Sequence, residues 1–171
     1  IVFDRQGTIV SIAQKELTQY YPQSGWVEHD PVEIYQDQLS TFQEALKKGS
    51  IEPADIDSIG ITNQRETTVV WNRKTGKPIH NAIVWLDKRT KEICDSIREL
   101  GLETYINKNT GLVVDAYFSG TKLKWILDHV DGAKEELDNL CFGTIDSWLI
   151  YNFSQEKNHV TDHTNASRTL L

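Results

Sequence analysis

The 171-residue sequence has no methionine, only two cysteines and only four prolines. Methionine is missing even from the first position, and the opening IVFDRQGTIVSIAQKEL reads as strand, turn and strand from its first residue; the expectation is a piece of a longer chain. Cys94 and Cys141 lack metal-ligand spacing and sit among apolar neighbours, which excludes a thiolate metal site and predicts two packed thiols. No apolar run approaches the roughly 20 residues of a membrane span, and no charged-then-apolar leader is present, so a cytoplasmic protein is expected.

Positive charge is also scarce. A formal net charge of −7 argues against the clustered Lys and Arg that nucleic-acid binding requires, so no nucleic-acid partner is expected. It leaves room for an anionic ligand held by a single Arg or a helix N-terminus. No GxxxxGK[ST] loop and no GxGxxG turn is present, so nothing visible cradles a triphosphate. The five histidines form no HExxH or other metal pair, and no Ser-His-Asp or Cys-His arrangement stands out.

What is there belongs to an ordinary globular chain. Apolar residues make up 39% and charged residues 25%, and a domain of this length buries roughly 70% of its unfolded surface. Ile1 to Phe3 and Thr8 to Glu16 read as a hairpin around Gly7. Asp30-Pro31-Val32-Glu33 reads as a helix start, with Asp as cap, Pro at the first helical position and Glu33 able to bond back; Tyr35, Leu39, Phe42 and Leu46 follow on one face, ending near Gly49. Ile56 to Thr62 reads as a strand, and Thr67 to Trp71 with Asn81 to Trp85 as a second hairpin around Thr75-Gly76-Lys77-Pro78. Ile93, Ile97 and Leu100 mark a helix closed by Gly101, and Leu123, Ile126, Leu127 and Val130 mark another closed by Gly132. IDSWLIYNF fits helix or strand equally. The sum is an α/β domain, a mixed sheet with flanking helices.

Function is expected just beyond the carboxyl ends of strands, where open α/β sheets bind ligands. The segment NQRET, residues 63–67, lies there. Arg65 offers a planar fork of donors and Glu66 a carboxylate that only accepts, a pair suited to a ligand rich in hydroxyls. The competing reading is a solvated turn with a surface ion pair worth about 0–1 kcal/mol. Trp85 ends the strand NAIVW, where it can be core or can pack its face on the C–H surface of a polyol. Tyr117 stands at the entrance of a helix that Ser119 is expected to cap, while Leu123, Trp125, Ile126 and Leu127 read as packing.

Five blocks carry a resemblance in order and spacing: GWVEHDP (25–31), GITNQRET (60–67), TGKPIHNAIVW (75–85), Asn109 to His129, and TDHTNASRT (161–169). They resemble the N-terminal domain of the FGGY family of sugar kinases, in its glycerol-phosphorylating branch. Ser119, Lys122, Leu123, Trp125, Ile126, Asp128 and His129 also fall at the positions of that family's first signature. The resemblance implies a ribonuclease-H-like domain of the actin-like ATPase fold, incomplete here, with residues 1–171 forming part of the N-terminal domain. It implies transfer of the γ-phosphoryl of MgATP to a terminal hydroxyl of glycerol, giving glycerol 3-phosphate. Arg65, Glu66, Trp85 and Tyr117 match the residues that hold glycerol in that family.

The same resemblance puts the family's DxGTT phosphate loop before Ile1 and its catalytic Asp and adenine site after Leu171, so ATP and Mg2+ are expected to be held mostly outside this chain. These residues alone are therefore expected to lack kinase activity and to contain no catalytic or metal-binding residue. Leu86 and Lys88 depart from the Gln and Arg usual in the family. Glycerol and ATP are the implied partners, with homo-oligomerisation left open. Two other readings stand beside this one: a family member acting on another polyol or sugar, such as xylulose or gluconate, and a non-catalytic polyol-binding or actin-like module.

Overall fold

The computed structural model describes residues 1–171. The first hairpin pairs β1 (Val2–Phe3) with β2 (Ile9–Ser11), so the second strand is shorter than expected. After a loop, β3 (Glu28–His29) leads into the long helix α1 (Pro31–Gly49). Asp30 caps α1 through the N–H of Val32, as the sequence predicts. Glu33 does not bond back: its carboxylate accepts from Thr18 and Tyr20, which draws the preceding loop onto the helix and holds the carboxyl below its ordinary pKa.

The centre of the domain is β4 (Val69–Asn72), with β6 (Leu140–Gly143) antiparallel beside it from Val69↔Gly143 to Asn72↔Leu140. Between them in sequence, β5 (Ala82–Ile83) pairs with β3, and a bridge at Thr68↔Ile83 links it to the start of β4. The predicted hairpin around Gly76 is present, with Gly76 at φ +69° and Ile79 N–H bonded to the Val70 carbonyl. The strands thus run β3, β5, β4, β6, and every pairing is antiparallel.

Strand β4 is buried on both faces, which explains its unbroken apolar run. Val69 and Trp71 face a core with Ile34 of α1 and with Ile145, Trp148 and Tyr151 of α5 (Ile145–Phe153). Val70 faces the other way, packing with Ile83 and with Ile126 of α4 (Ser119–His129). IDSWLIYNF is therefore helix, and Trp148 tethers it to α1 by donating Nε1–H to the Pro31 carbonyl. Helices α2 (Lys91–Glu99) and α3 (Glu103–Thr110) lead into α4, and α6 (His163–Ala166) follows α5. Cys94 and Cys141 are buried and free, and burial pushes the Cys94 thiol up. No helix is long and apolar enough to cross a membrane.

A whole expected strand is also missing. Ile56 to Thr62 is not a strand: residues 57–66 take no part in backbone hydrogen bonding between elements, and Ile59 is 64% exposed. Alternating apolar residues specify a face for a strand, but a strand also needs a neighbour to complete its ladder. Here β1 and β2 pair only with each other, and no strand pairs with this segment.

Candidate functional site

Glu66 ends the turn that follows the extended segment, and it holds a backbone conformation that non-glycine residues avoid, with φ +64°. Such a conformation costs on the order of 1–2 kcal/mol and persists only where the surroundings impose it. Two hydroxyls do so, since the Glu66 carbonyl accepts from Thr68 Oγ1 at 3.2 Å and from Ser119 Oγ at 3.1 Å. The turn aims the carboxylate inward. Glu66 is only 3% exposed, and Oε1 accepts from Arg168 Nε at 2.9 Å.

The rest of NQRET divides by role. Asn63 donates to Thr144 Oγ1 and accepts from the N–H of Asp146, tying the segment to the start of α5. Gln64 accepts from Thr67 Oγ1, and Thr67 Oγ1 in turn accepts from the N–H of Trp85 at 3.2 Å. Arg65 is exposed and forms no ion pair. The surface pair between Arg65 and Glu66 is not formed, because Arg168 takes the carboxylate.

Trp85 follows β5 and is 38% exposed, so it is not a core residue. Its ring meets that of Tyr117 edge to face, with centroids 5.6 Å apart and planes at 62°. Tyr117 lies in the loop that enters α4, where its N–H bonds Asp115 Oδ1. Arg168 also spans the aromatic side, its guanidinium carbon 5.1 Å from the Phe118 ring centroid and 6.0 Å from that of Tyr117. Glu66, Trp85 and Tyr117 are thereby linked around the N-terminus of α4, with Arg65 at the adjoining surface. Two surface concavities lie away from this cluster, one beside Pro31 and Pro78 and the other between Phe142 and Leu171. At the cluster itself the side chains of Trp85 and Tyr117 are partly exposed.

Ser119 is not the cap of α4. Phe118 occupies the capping position, and Ser119 is the first helical residue, its hydroxyl turned to Glu66. The loop carbonyls are gathered instead by Lys122, fully buried, whose Nζ donates to Ala116 at 2.5 Å, Tyr117 at 2.6 Å and Phe118 at 3.3 Å. Burial lowers the Lys122 pKa to about 8, against the opposing pull of Asp87 and Glu66. In the sequence Lys122 stands out only as part of the family signature, because the buried face of α4 also carries Ser119 and Thr121 and gives no apolar contrast.

A second buried charge cluster follows Trp85 in sequence. Arg89 and Asp87 have fully buried side chains 2.8 Å apart, and Arg89 also bonds Glu28 at 2.7 Å. Asp87 accepts from the N–H of Val27, and the guanidinium lies over the rings of Trp26 at 3.8 Å and Trp125 at 4.6 Å. Residues 86–89 precede α2, which begins at Lys91. Leu86 and Lys88, the two departures from the family pattern, are both exposed, and the buried pair occupies the positions that do not depart.

The chain is 60% identical over 173 residues to the glycerol kinase of Alkaliphilus metalliredigens, covering 100% of this chain and 35% of that protein. It also resembles a crystal structure of Plasmodium falciparum glycerol kinase with ADP, at 40% identity and a TM-score of 0.83, over 92% of this chain and 32% of the other. A ligand-bound xylulose kinase from Lactobacillus acidophilus shares the fold, at 20% identity and a TM-score of 0.74 over 91% of this chain and 30% of that one. The chain spans about a third of the length of the curated relatives it matches. The whole sequence, residues 1–171, matches the N-terminal domain of the FGGY family of carbohydrate kinases, and the chain belongs to that family.

Proposed function

We propose that these residues form part of the N-terminal domain of a longer, cytoplasmic kinase that transfers the γ-phosphoryl of MgATP to a terminal hydroxyl of glycerol. The observation that carries the reading is that Arg168 connects the buried Glu66 carboxylate to Tyr117, whose ring edges onto that of the partly exposed Trp85. The identity to glycerol kinases supports it.

In this reading Glu66 accepts from glycerol hydroxyls and Arg65 donates to them, Trp85 packs against the C–H face of the carbon chain, and Tyr117 adds a polar contact. Phosphoryl transfer depends chiefly on holding the attacking hydroxyl in line and on stabilising charge, so residues that only position the polyol act directly on rate. MgATP supplies the transferred group. By the family resemblance, the groups that hold MgATP are assigned mostly to the remainder of the longer chain.

The test is ATP-dependent phosphorylation by the full-length chain with glycerol, xylulose, erythritol and gluconate, beside Glu66→Gln. Glycerol dominates, and Glu66→Gln lowers its kcat/KM by about 10- to 100-fold, the loss of one charge-assisted hydrogen bond of about 1.5–3 kcal/mol. Preference for another substrate overturns the specificity, and a folded protein that phosphorylates none of them is a non-catalytic module.

A further inference from the structure

We propose that Arg168 is a positioning residue for substrate, acting through Glu66: it fixes one carboxylate oxygen from inside the protein so that the other faces the polyol. The proposal deepens the glycerol reading above and rests on it.

Arg168 is 102 residues from Glu66 in sequence, yet its Nε is the only side-chain donor to that carboxylate. Oε2 accepts nothing from the protein, and it is not among the buried atoms left without a partner, so it reaches solvent. The carboxylate is therefore divided between one oxygen held internally and one open to a ligand. A side chain held only by rotamer preference would leave the direction of the second oxygen loose, while an N–H donor of fixed geometry on the first defines it. The same guanidinium lies against the rings of Phe118 and Tyr117, so one cation is in touch with two of the four candidate polyol-binding residues.

The segment that carries Arg168 is itself anchored. The Thr169 carbonyl accepts from the N–H of Gly120 at 2.7 Å, directly after the Ser119 that holds the Glu66 carbonyl. A Cβ at Gly120 would stand 2.9 Å from the Leu170 carbonyl oxygen, so only glycine permits this approach. On its other side, Asn165 donates to Asp146 and Asp162. The chain near residue 168 is thus pinned to the N-terminus of α4 and to the start of α5, which are the two places where Asn63 and Glu66 are held.

The experiment is a double-mutant cycle in the full-length protein, with glycerol KM, ATP KM and kcat measured for wild type, Arg168→Gln, Glu66→Gln and the double variant. Arg168→Gln raises the glycerol KM by about tenfold while leaving the ATP KM within about twofold, and the double variant is no worse than Glu66→Gln alone, because the effect of Arg168 passes through the carboxylate. Should Arg168→Gln not fold, Arg168→Lys carries the test: it keeps the charge without the planar donor, and it raises the glycerol KM about threefold or more when Glu66 is intact and not in the Glu66→Gln background. An unchanged glycerol KM, or an effect of the same size in both backgrounds, overturns the proposal. A wild type that phosphorylates glycerol beside an unaffected Arg168 variant defeats this inference alone, whereas a folded wild type that neither binds nor phosphorylates glycerol defeats the parent reading as well.

Discussion

Ser119 Oγ donates to the backbone carbonyl of Glu66 across 53 residues, at 3.1 Å, and both residues are buried. The bond joins the first turn of α4 to a residue that stands in the left-handed region, so helix packing is used to hold a locally unfavourable backbone.

Ser119→Ala therefore removes one of the two hydroxyls on that carbonyl and leaves only Thr68. The expected cost is about 1–2 kcal/mol of stability, together with a rise in glycerol KM as the turn relaxes. Thermal melting and steady-state kinetics on the full-length protein check it. A loss of stability with no change in KM would separate the bond from substrate positioning.

Arg89→Met tests the buried ion cluster. It leaves Asp87 and Glu28 without their cation in a site sealed by Trp26 and Trp125, and a buried pair broken on one side costs about 3–5 kcal/mol. A large drop in melting temperature is expected. Asp87→Asn in the same background recovers part of the loss, because it removes the orphaned charge; further destabilisation by that second change would contradict the account.

The contrast between these sites shows what the sequence made legible. Asp30 before Pro31 and Gly76 within its turn act within a few residues, and both stand where local chemistry predicts. Residue type and the family blocks likewise single out Arg65, Glu66, Trp85 and Tyr117 as candidates. Arg168 could not be paired with Glu66 by any local rule, since the contact depends on how the end of the chain docks on α4. Asp87 and Arg89 look the same in sequence whether solvated or sealed between two tryptophans. Ser119 has the residue type of a cap, and its tertiary partner overrides that preference. Ile56 to Thr62 shows the converse failure, a local pattern for a strand without the neighbour that would make it one.

Lys122 gives a pH dependence with a definite sign. Burial lowers its pKa from 10.5 to about 8, outweighing the nearby carboxylates of Asp87 and Glu66 that favour its charged form. Between those values the unfolded chain holds a proton that the folded one has released, so this group adds stability as pH rises from about 8 to 10.5; below and above that window its contribution is constant. At about 1.4 kcal/mol per pH unit the full gain is on the order of 3 kcal/mol. The melting temperature of wild type should therefore rise relative to that of Lys122→Met between about pH 8 and pH 10. A difference that stays flat across that range contradicts a lowered pKa.

Trp85 is tested by graded substitutions. The residue is 38% exposed and its ring edges onto Tyr117, so Trp85→Ala strips the buried majority of a large side chain and is expected to cost about 2–4 kcal/mol of stability, and its kinetics are read on protein shown to be folded. If the open face of the indole receives the carbon chain of glycerol, the same change raises the glycerol KM by about tenfold and leaves the ATP KM alone. Trp85→Phe, which keeps an aromatic face, should recover most of that loss. Tyr117→Phe provides the complementary measurement: it preserves the edge-to-face pair and deletes only the hydroxyl, so a change in KM there reports a polar contact with substrate. Should Trp85→Ala bind glycerol as well as wild type while Tyr117→Phe does not, the polyol lies on the Tyr117 side of the pair and the indole serves only to hold that ring upright.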